Sequence, residues 1–368
     1  MCRWIVYAGG NLPMPLADVL AKPAHSLVRQ AFSAGQHAGF SSRNNAVTNA
    51  DGFGLCWFSL DGRRAFLFKS SQPAWSDKNL QDLAAAVSSH VIFGHVRAAS
   101  PGSIVGFENT HPFKYGRLAF QHNGHIEGFG PLRRAFSSRL SDEAFGAVKG
   151  LTDSEHAFAM LLTHLRNCGR AEPFAPAELA AAMRETIAAI LALLGEAGVT
   201  GGFTSLNFAL TDGETVVVTR VCDKWPAIPP PSLYFAFPLS GDLRAEIDGV
   251  ADAGAGPGDG SANGAAPQQA RQQPGPQEEA EEVAGDSHGV DSARWARDEA
   301  FLAAAGPTAG ARALLVASEP ATAGGRVEWL TLPANAMLVY SRGGGVPVLS
   351  HVAVAGTVAV AGTGAGAM

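Results

Sequence analysis

Two Asp-Gly pairs, Asp61-Gly62 and Asp212-Gly213, each fall between two apolar runs, and this arrangement constrains the fold more than any other feature of the chain. Asp-Gly tolerates the positive φ angles of a tight turn, so apolar runs on either side read as a hairpin. "GFGLCWFSLDGRRAFLF" therefore predicts an early antiparallel pair, and "TSLNFALTDGETVVVTRV" a later one. Strand-like stretches also occur at "SSHVIFGHVRA", "GRLAFQHNGHIEGF", "SLYFAF", "ARALLVASEP", "VEWLTLPANAMLVYS" and "PVLSHVAVAG". Helical spacing dominates "SEHAFAMLLTHLRNCG", with Gly169 as its expected stop, and "PAELAAAMRETIAAILALLGEAG", punctuated by Pro176 and Gly198. Strands early and late with helices between them predict an α+β fold of antiparallel sheets with helices on their faces.

Composition narrows the function. Only 16% of the 368 residues are charged, against roughly 25% in typical globular chains. The net charge of −6 argues against a nucleic-acid partner. No apolar run is long enough to predict a membrane span, and the first residues lack the pattern of a secretory signal, so a cytoplasmic location is expected. Cys2, Cys56, Cys168 and Cys222 are scattered, with no CxxC pair and no metal-ligand spacing; neither a metal nor a cofactor is expected. From Gly249 to Gly289 the chain has no aromatic residue and reads as a disordered insertion. The predicted organisation is one domain in two parts, 2–248 and 290–355. The insertion 249–289 divides them, "RWARDEAFLAAAG" opens the second part as a helix, and 356–368 is a loose tail.

Five stretches carry candidate chemistry, and each has a plainer alternative. A cysteine at position 2 holds both a thiol and, if Met1 is removed, a free α-amine that titrates near ~7.7–8.0 and can take the thiol proton. The alternative is a small buried hydrophobe at a strand start. Arg97 ends an apolar strand, where a guanidinium can grip a carboxylate through paired hydrogen bonds or simply lie in solvent. In "QHNGHI", Asn123 and Gly124 can offer a side-chain amide and a backbone N–H to an oxyanion, yet Asn-Gly is also a favoured hairpin turn. Thr152 and Glu155 are spaced as a capping box, which makes Asp153 a helix-start acid or a partner for a substrate ammonium. His111 precedes Pro112 in "ENTHPF" and is a pocket or a structural histidine.

Taken in order, these motifs resemble the class II glutamine amidotransferase domain. "MCRWIVYAGG", "KPAHSLVRQAF" and "TNADGFGLCW" resemble a smaller branch of it, which contains the amidotransferase-like subunit of glutathione degradation and the γ-glutamyl hydrolase of ergothioneine synthesis. The resemblance implies the N-terminal-nucleophile hydrolase fold, an αββα sandwich of two antiparallel sheets between helix layers. It implies Cys2 as nucleophile with its own amine as base, and Asn123 and Gly124 as the oxyanion hole. Arg97 would hold the α-carboxylate and Asp153 the α-ammonium of a glutamine or γ-glutamyl group; His111, from its own loop setting before Pro112, is a further substrate-binding candidate. The position after Arg97 departs from the glucosamine-phosphate synthase pattern, which has tryptophan where this chain has Ala98.

The expected activity is hydrolysis of a γ-glutamyl amide bond in glutamine or a glutathione-like peptide, through a thioester on Cys2. The chain acts alone or with a partner peptidase or synthetase chain. The alternative is a catalytically silent scaffold subunit.

Overall fold

The computed structural model describes residues 2–10, 13–32, 48–100, 102–253, 312–322, 325–344 and 347–354. Strands buried on both faces build two antiparallel sheets that face each other. The first contains β1 (Arg3–Gly9), β3 (Phe53–Phe58), β4 (Ala65–Ser70), β6 (Val91–Val96), β11 (Tyr234–Ala236), β12 (Ala313–Ala317) and β13 (Leu330–Thr331). Its strand order is β13-β11-β12-β1-β6-β3-β4. The second contains β7 (Phe113–Tyr115), β8 (Leu118–His125), β9 (Ser205–Thr211), β10 (Thr215–Arg220), β14 (Ala336–Ser341) and β15 (Val348–His351), ordered β15-β14-β10-β9-β8-β7. A small ladder pairs β2 (Met14–Pro15) with β5 (Ser88–Ser89).

Because successive strand residues point to opposite faces, each strand feeds two cores. Trp4, Val6 and Ala8 of β1 meet Ala119, Ala209, Val216 and Leu338 between the sheets. Ile5 and Tyr7 face outward to α1 (Leu16–Leu20), α2 (Leu27–Gln30), α3 (Lys78–Ala86) and α8 (Ser240–Ala253), through Val19, Leu27, Leu80 and Leu243. On the far side Phe120, Phe208 and Val217 pack on α4 (Phe129–Ser137), α5 (Asp142–Ala147), α6 (Asp153–His164) and α7 (Pro176–Glu196). The result is the expected αββα sandwich. None of the described helices is long and apolar enough to cross a membrane.

Pro176 opens α7 at its first position, and Gly198, at φ +67°, lies just past its end, as the sequence predicts. Other local readings need correction. The Asp61-Gly62 connection spans Ser59–Arg64 rather than two residues. Asp61 accepts from the Ser59 hydroxyl and the Arg63 N–H, and Ser59 N–H closes the loop on Arg64 O at 2.9 Å. Asn123-Gly124 is no turn; both residues are inside β8, opposite Asn207 and Leu206 of β9. α6 stops at His164, short of Gly169, because the chain turns extended at Leu165, whose side chain enters the core. Thr152 caps α6 by accepting from Glu155 N–H at 3.2 Å, but Glu155 does not complete the box. Its carboxylate accepts instead from Lys149 N–H and Gly150 N–H, at 2.8 and 2.6 Å. All but the first five residues of the 249–289 insertion lie outside the described residues, as do the helix expected at "RWARDEAFLAAAG" and the tail 356–368.

Candidate active site

The alternation that fills the core also selects which polar groups reach one end of the sandwich. Cys2 immediately precedes β1, and Arg97 follows β6, the strand beside it; Arg3 pairs with Val96 in register. The two ends are stitched by the main chain of Ala98. Its N–H donates to Cys2 Sγ at 3.4 Å, and Cys2 Sγ–H donates to Ala98 O at 3.6 Å. Ala98 therefore meets the sulfur with its backbone, whatever its side chain.

Burial pushes the Cys2 thiol up, against the lowering effects of the Ala98 contact and of the Arg97 and Arg3 charges. At neutral pH the sulfur is a thiol, and a nucleophilic role requires a base beside it. Arg97 is only 4% exposed, which excludes a solvated surface arginine. Burial depresses its pKa, and Cys2, Asp51 and Asp153 oppose that shift, so all four groups share one electrostatic neighbourhood. Its Nη1 donates to Ile104 O at 3.0 Å.

Asp153 is the first residue of α6. One carboxylate oxygen accepts from Ser154 N–H at 2.7 Å, and the other from Ile126 N–H at 2.8 Å. The second bond ties the helix start to the end of β8, two residues beyond Gly124. Asn123 is 2% exposed, and its side-chain oxygen has no hydrogen-bond partner among the described residues. His122 secures the strand from the other face. Its Nε2–H donates to Ser205 O at 3.0 Å, so Nδ1 accepts from the Ser154 hydroxyl at 2.9 Å.

Gly124 is there for space. A Cβ on it would lie 2.0 Å from Ser205 O and 2.6 Å from His122 Nε2. Gly124→Ala should force β8 off β9, with a stability loss of roughly 1–3 kcal/mol for overpacking. Urea denaturation checks this; an unchanged midpoint would show that the strands relax freely.

The structure thus gathers Cys2, Arg97, Asp153 and, through Ile126, the Asn123-Gly124 pair. His111 is placed differently. Its ring is buried, stacked on His95 at 4.2 Å and edge-on to Phe113 at 4.6 Å. His95 Nε2–H donates to His122 O at 3.2 Å, and burial holds the His95 pKa down at about 3. Burial likewise drives His111 well below its usual range, so both rings are neutral.

Two sets of residues escaped the sequence reading. Asp51 accepts from Ala99 N–H at 2.8 Å and fixes the chain beyond Arg97. Arg3 joins Glu319 at 2.7 Å with 3% and 1% side-chain exposure, and Arg3 Nη1 donates to Cys2 O at 3.1 Å. His25 takes the second Glu319 oxygen at 2.6 Å. The available signal was an arginine placed within an otherwise apolar strand directly after the cysteine.

Known proteins agree with this architecture. The family model of class II glutamine amidotransferases matches residues 17–228, more than half of the chain. The probable glutamine amidotransferase DUG3 of Saccharomyces cerevisiae is 36% identical over 232 residues, 60% of this chain and 63% of the yeast protein. A gamma-glutamyl-hercynylcysteine sulfoxide hydrolase of Mycobacterium tuberculosis is 28% identical over 127 residues, 34% of this chain and 50% of that protein. Each match spans less than two thirds of the relative's length. A solved glutamine aminotransferase class-II domain protein from Silicibacter pomeroyi shares the fold, with a TM-score of 0.53 at 21% identity over 96% of this chain and 100% of that one. On the extent of the family match, the chain belongs to the class II glutamine amidotransferases.

Proposed function

We propose that this protein, once Met1 is removed, hydrolyses γ-glutamyl amide bonds by forming a γ-glutamyl thioester on Cys2. The observation that carries the reading is the shared neighbourhood of a thiol, a buried guanidinium and a carboxylate at one end of the sandwich. Arg97 pairs with the α-carboxylate of the substrate and Asp153 with its α-ammonium, so opposite charges read the two ends of one zwitterion. The γ-carbonyl then extends toward Cys2. The α-amine of Cys2 takes the Sγ proton, the thiolate attacks the carbonyl carbon, and the oxyanion is held by the Asn123 side-chain amide and Gly124 N–H. The protonated amine returns its proton to the leaving nitrogen as the C–N bond breaks. Water, activated by the same amine, hydrolyses the thioester. The raised thiol pKa supports this division of labour, because a thiol that does not ionise on its own requires the adjacent base.

His111 supports the floor of this site from within rather than touching the substrate. The relatives' names favour glutamine or a γ-glutamyl compound as donor.

Incubation with a diazo-ketone analogue of glutamine tests the reading. Intact-mass and peptide analysis should show loss of Met1 and one adduct on Cys2, with none on Cys2→Ala. Processed protein that takes no adduct would turn the interpretation to a silent scaffold subunit. Asn123→Ala should lower kcat by about 10²–10³-fold with KM little changed, since an oxyanion donor acts in the transition state. Steady-state kinetics check it, and an effect confined to KM would remove Asn123 from the oxyanion hole.

A further inference from the structure

At the hairpin end of the sandwich, away from Cys2, a cleft of about 420 Å³ opens between β4 and the β7–β8 turn. Arg63, Arg64, Lys114, Arg117 and Arg170 line it, and no carboxylate does. In a chain of net charge −6, five cations around one cleft is a local reversal of sign.

The five differ in what they have left to give. Arg117, 5% exposed, spends its N–H groups on the carbonyls of Asp212, Gly62 and Ala171, so it contributes charge and shape. Arg170 is paired with Glu178 at 2.7 Å and stacked 3.8 Å from the Phe174 ring. Arg63 shares its field with Asp61 beside it. Glu143, near Gly169, accepts from the Tyr115 hydroxyl at 2.8 Å. Arg64 and Lys114 are exposed, and among the described residues neither has a carboxylate at ion-pair distance. The Phe66 ring lies 5.0 Å from the Arg64 guanidinium carbon and holds that plane at the cleft wall.

The adjoining cavity sharpens the contrast. It shares Leu67 and Lys114 with the cleft and adds Lys69 and Lys149, but there Glu108 and Glu155 balance the charge. Of the two, the first cleft is the one whose described lining holds cations and no carboxylate. Its volume suits a small molecule rather than a single inorganic ion.

We propose that the cleft bounded by Arg64, Lys114 and Arg117 is a binding site for a multiply charged small anion, a phosphate-bearing or polycarboxylate molecule. Arg64 and Lys114 make the direct contacts, while buried Arg117 supplies a fixed positive floor. The site lies outside the γ-glutamyl chemistry proposed above and stands or falls without it.

Isothermal titration of the full chain with pyrophosphate, citrate and acetate at matched ionic strength is the test. Pyrophosphate and citrate should each bind once, more weakly at high salt, and singly charged acetate should give no binding heat. The Arg64→Ala/Lys114→Ala pair should weaken binding about tenfold, as expected from two partly solvated charge pairs. Binding of pyrophosphate alone would assign the site to phosphate-bearing molecules, and equal binding of citrate to polyanions by charge number. The proposal is overturned if neither anion binds beyond a chloride control, or if the double variant and a Lys114→Glu variant bind as wild type does.

Discussion

Cys2→Ala should abolish γ-glutamyl hydrolysis, a fall of about 10⁴–10⁶-fold in kcat of the kind seen when a covalent nucleophile is removed. The size of the effect follows from the site. In the proposed mechanism Arg97, Asp153 and the Asn123-Gly124 pair would still hold substrate and oxyanion, but without a sulfur there would be no atom to accept the acyl group. Substrate binding should survive, because the two groups proposed to read the zwitterion are not on Cys2. The variant should therefore bind a γ-glutamyl ligand with affinity close to wild type while failing to turn it over. Binding by calorimetry, alongside single-turnover kinetics with quantified thioester, makes the comparison. Turnover within tenfold of wild type would end the covalent mechanism, and so would an active protein that retains Met1.

Breaking the Arg3–Glu319 pair should be the most damaging single change to stability. Both side chains are almost fully buried, so Glu319→Leu removes the carboxylate from a buried ion pair, at a cost of about 3–5 kcal/mol. For a chain of this size that is a fall in Tm of roughly 4–7 °C. Arg3→Met combined with Glu319→Leu should recover much of the loss, since a packed apolar pair leaves no charge behind. Scanning calorimetry separates the outcomes, and a single variant within 1 °C of wild type would show that the pair contributes nothing.

The same carboxylate sets a pH signature. Burial raises its pKa, but the His25 and Arg3 contacts outweigh burial and hold it below its ordinary value of 4.5. A depressed carboxylate stabilises the fold at pH values above the unfolded pKa and loses that contribution as pH falls through the folded one. Wild type should thus lose stability progressively below pH 4.5, and Glu319→Leu should lose less over that window. The comparison also bears on catalysis, because Arg3 carries the Cys2 carbonyl.

The architecture was legible because its signals are local. The apolar runs "VIFGHV" and "TVVVTR", Pro176 at the start of α7 and Gly198 at its end need no partner to be read. The five helices α1 to α5 carry four to nine residues each, too few for helical periodicity to stand out. Helices that short owe their stability to packing, which lies outside the segment itself. Asn123-Gly124 shows the limit most clearly: its dipeptide preference is for a turn, and pairing with Asn207 and Leu206 overrides it. Burial decided the rest of the site. Nothing in "HVRAAS" distinguishes a solvated arginine from one closed in by neighbouring strands.

The linear order of the residues determined that this chain forms two antiparallel sheets under helices, and which side chains were candidates for acyl chemistry. The tertiary structure alone decided that Cys2, Arg97 and Asp153 occupy one neighbourhood although 151 positions separate the first from the last. It also supplied Glu319, whose bond to Arg3 joins residues 316 positions apart. Strand propensity and turn preference are properties of a few adjacent residues, whereas electrostatic contact falls off with distance in space and takes no account of separation along the chain.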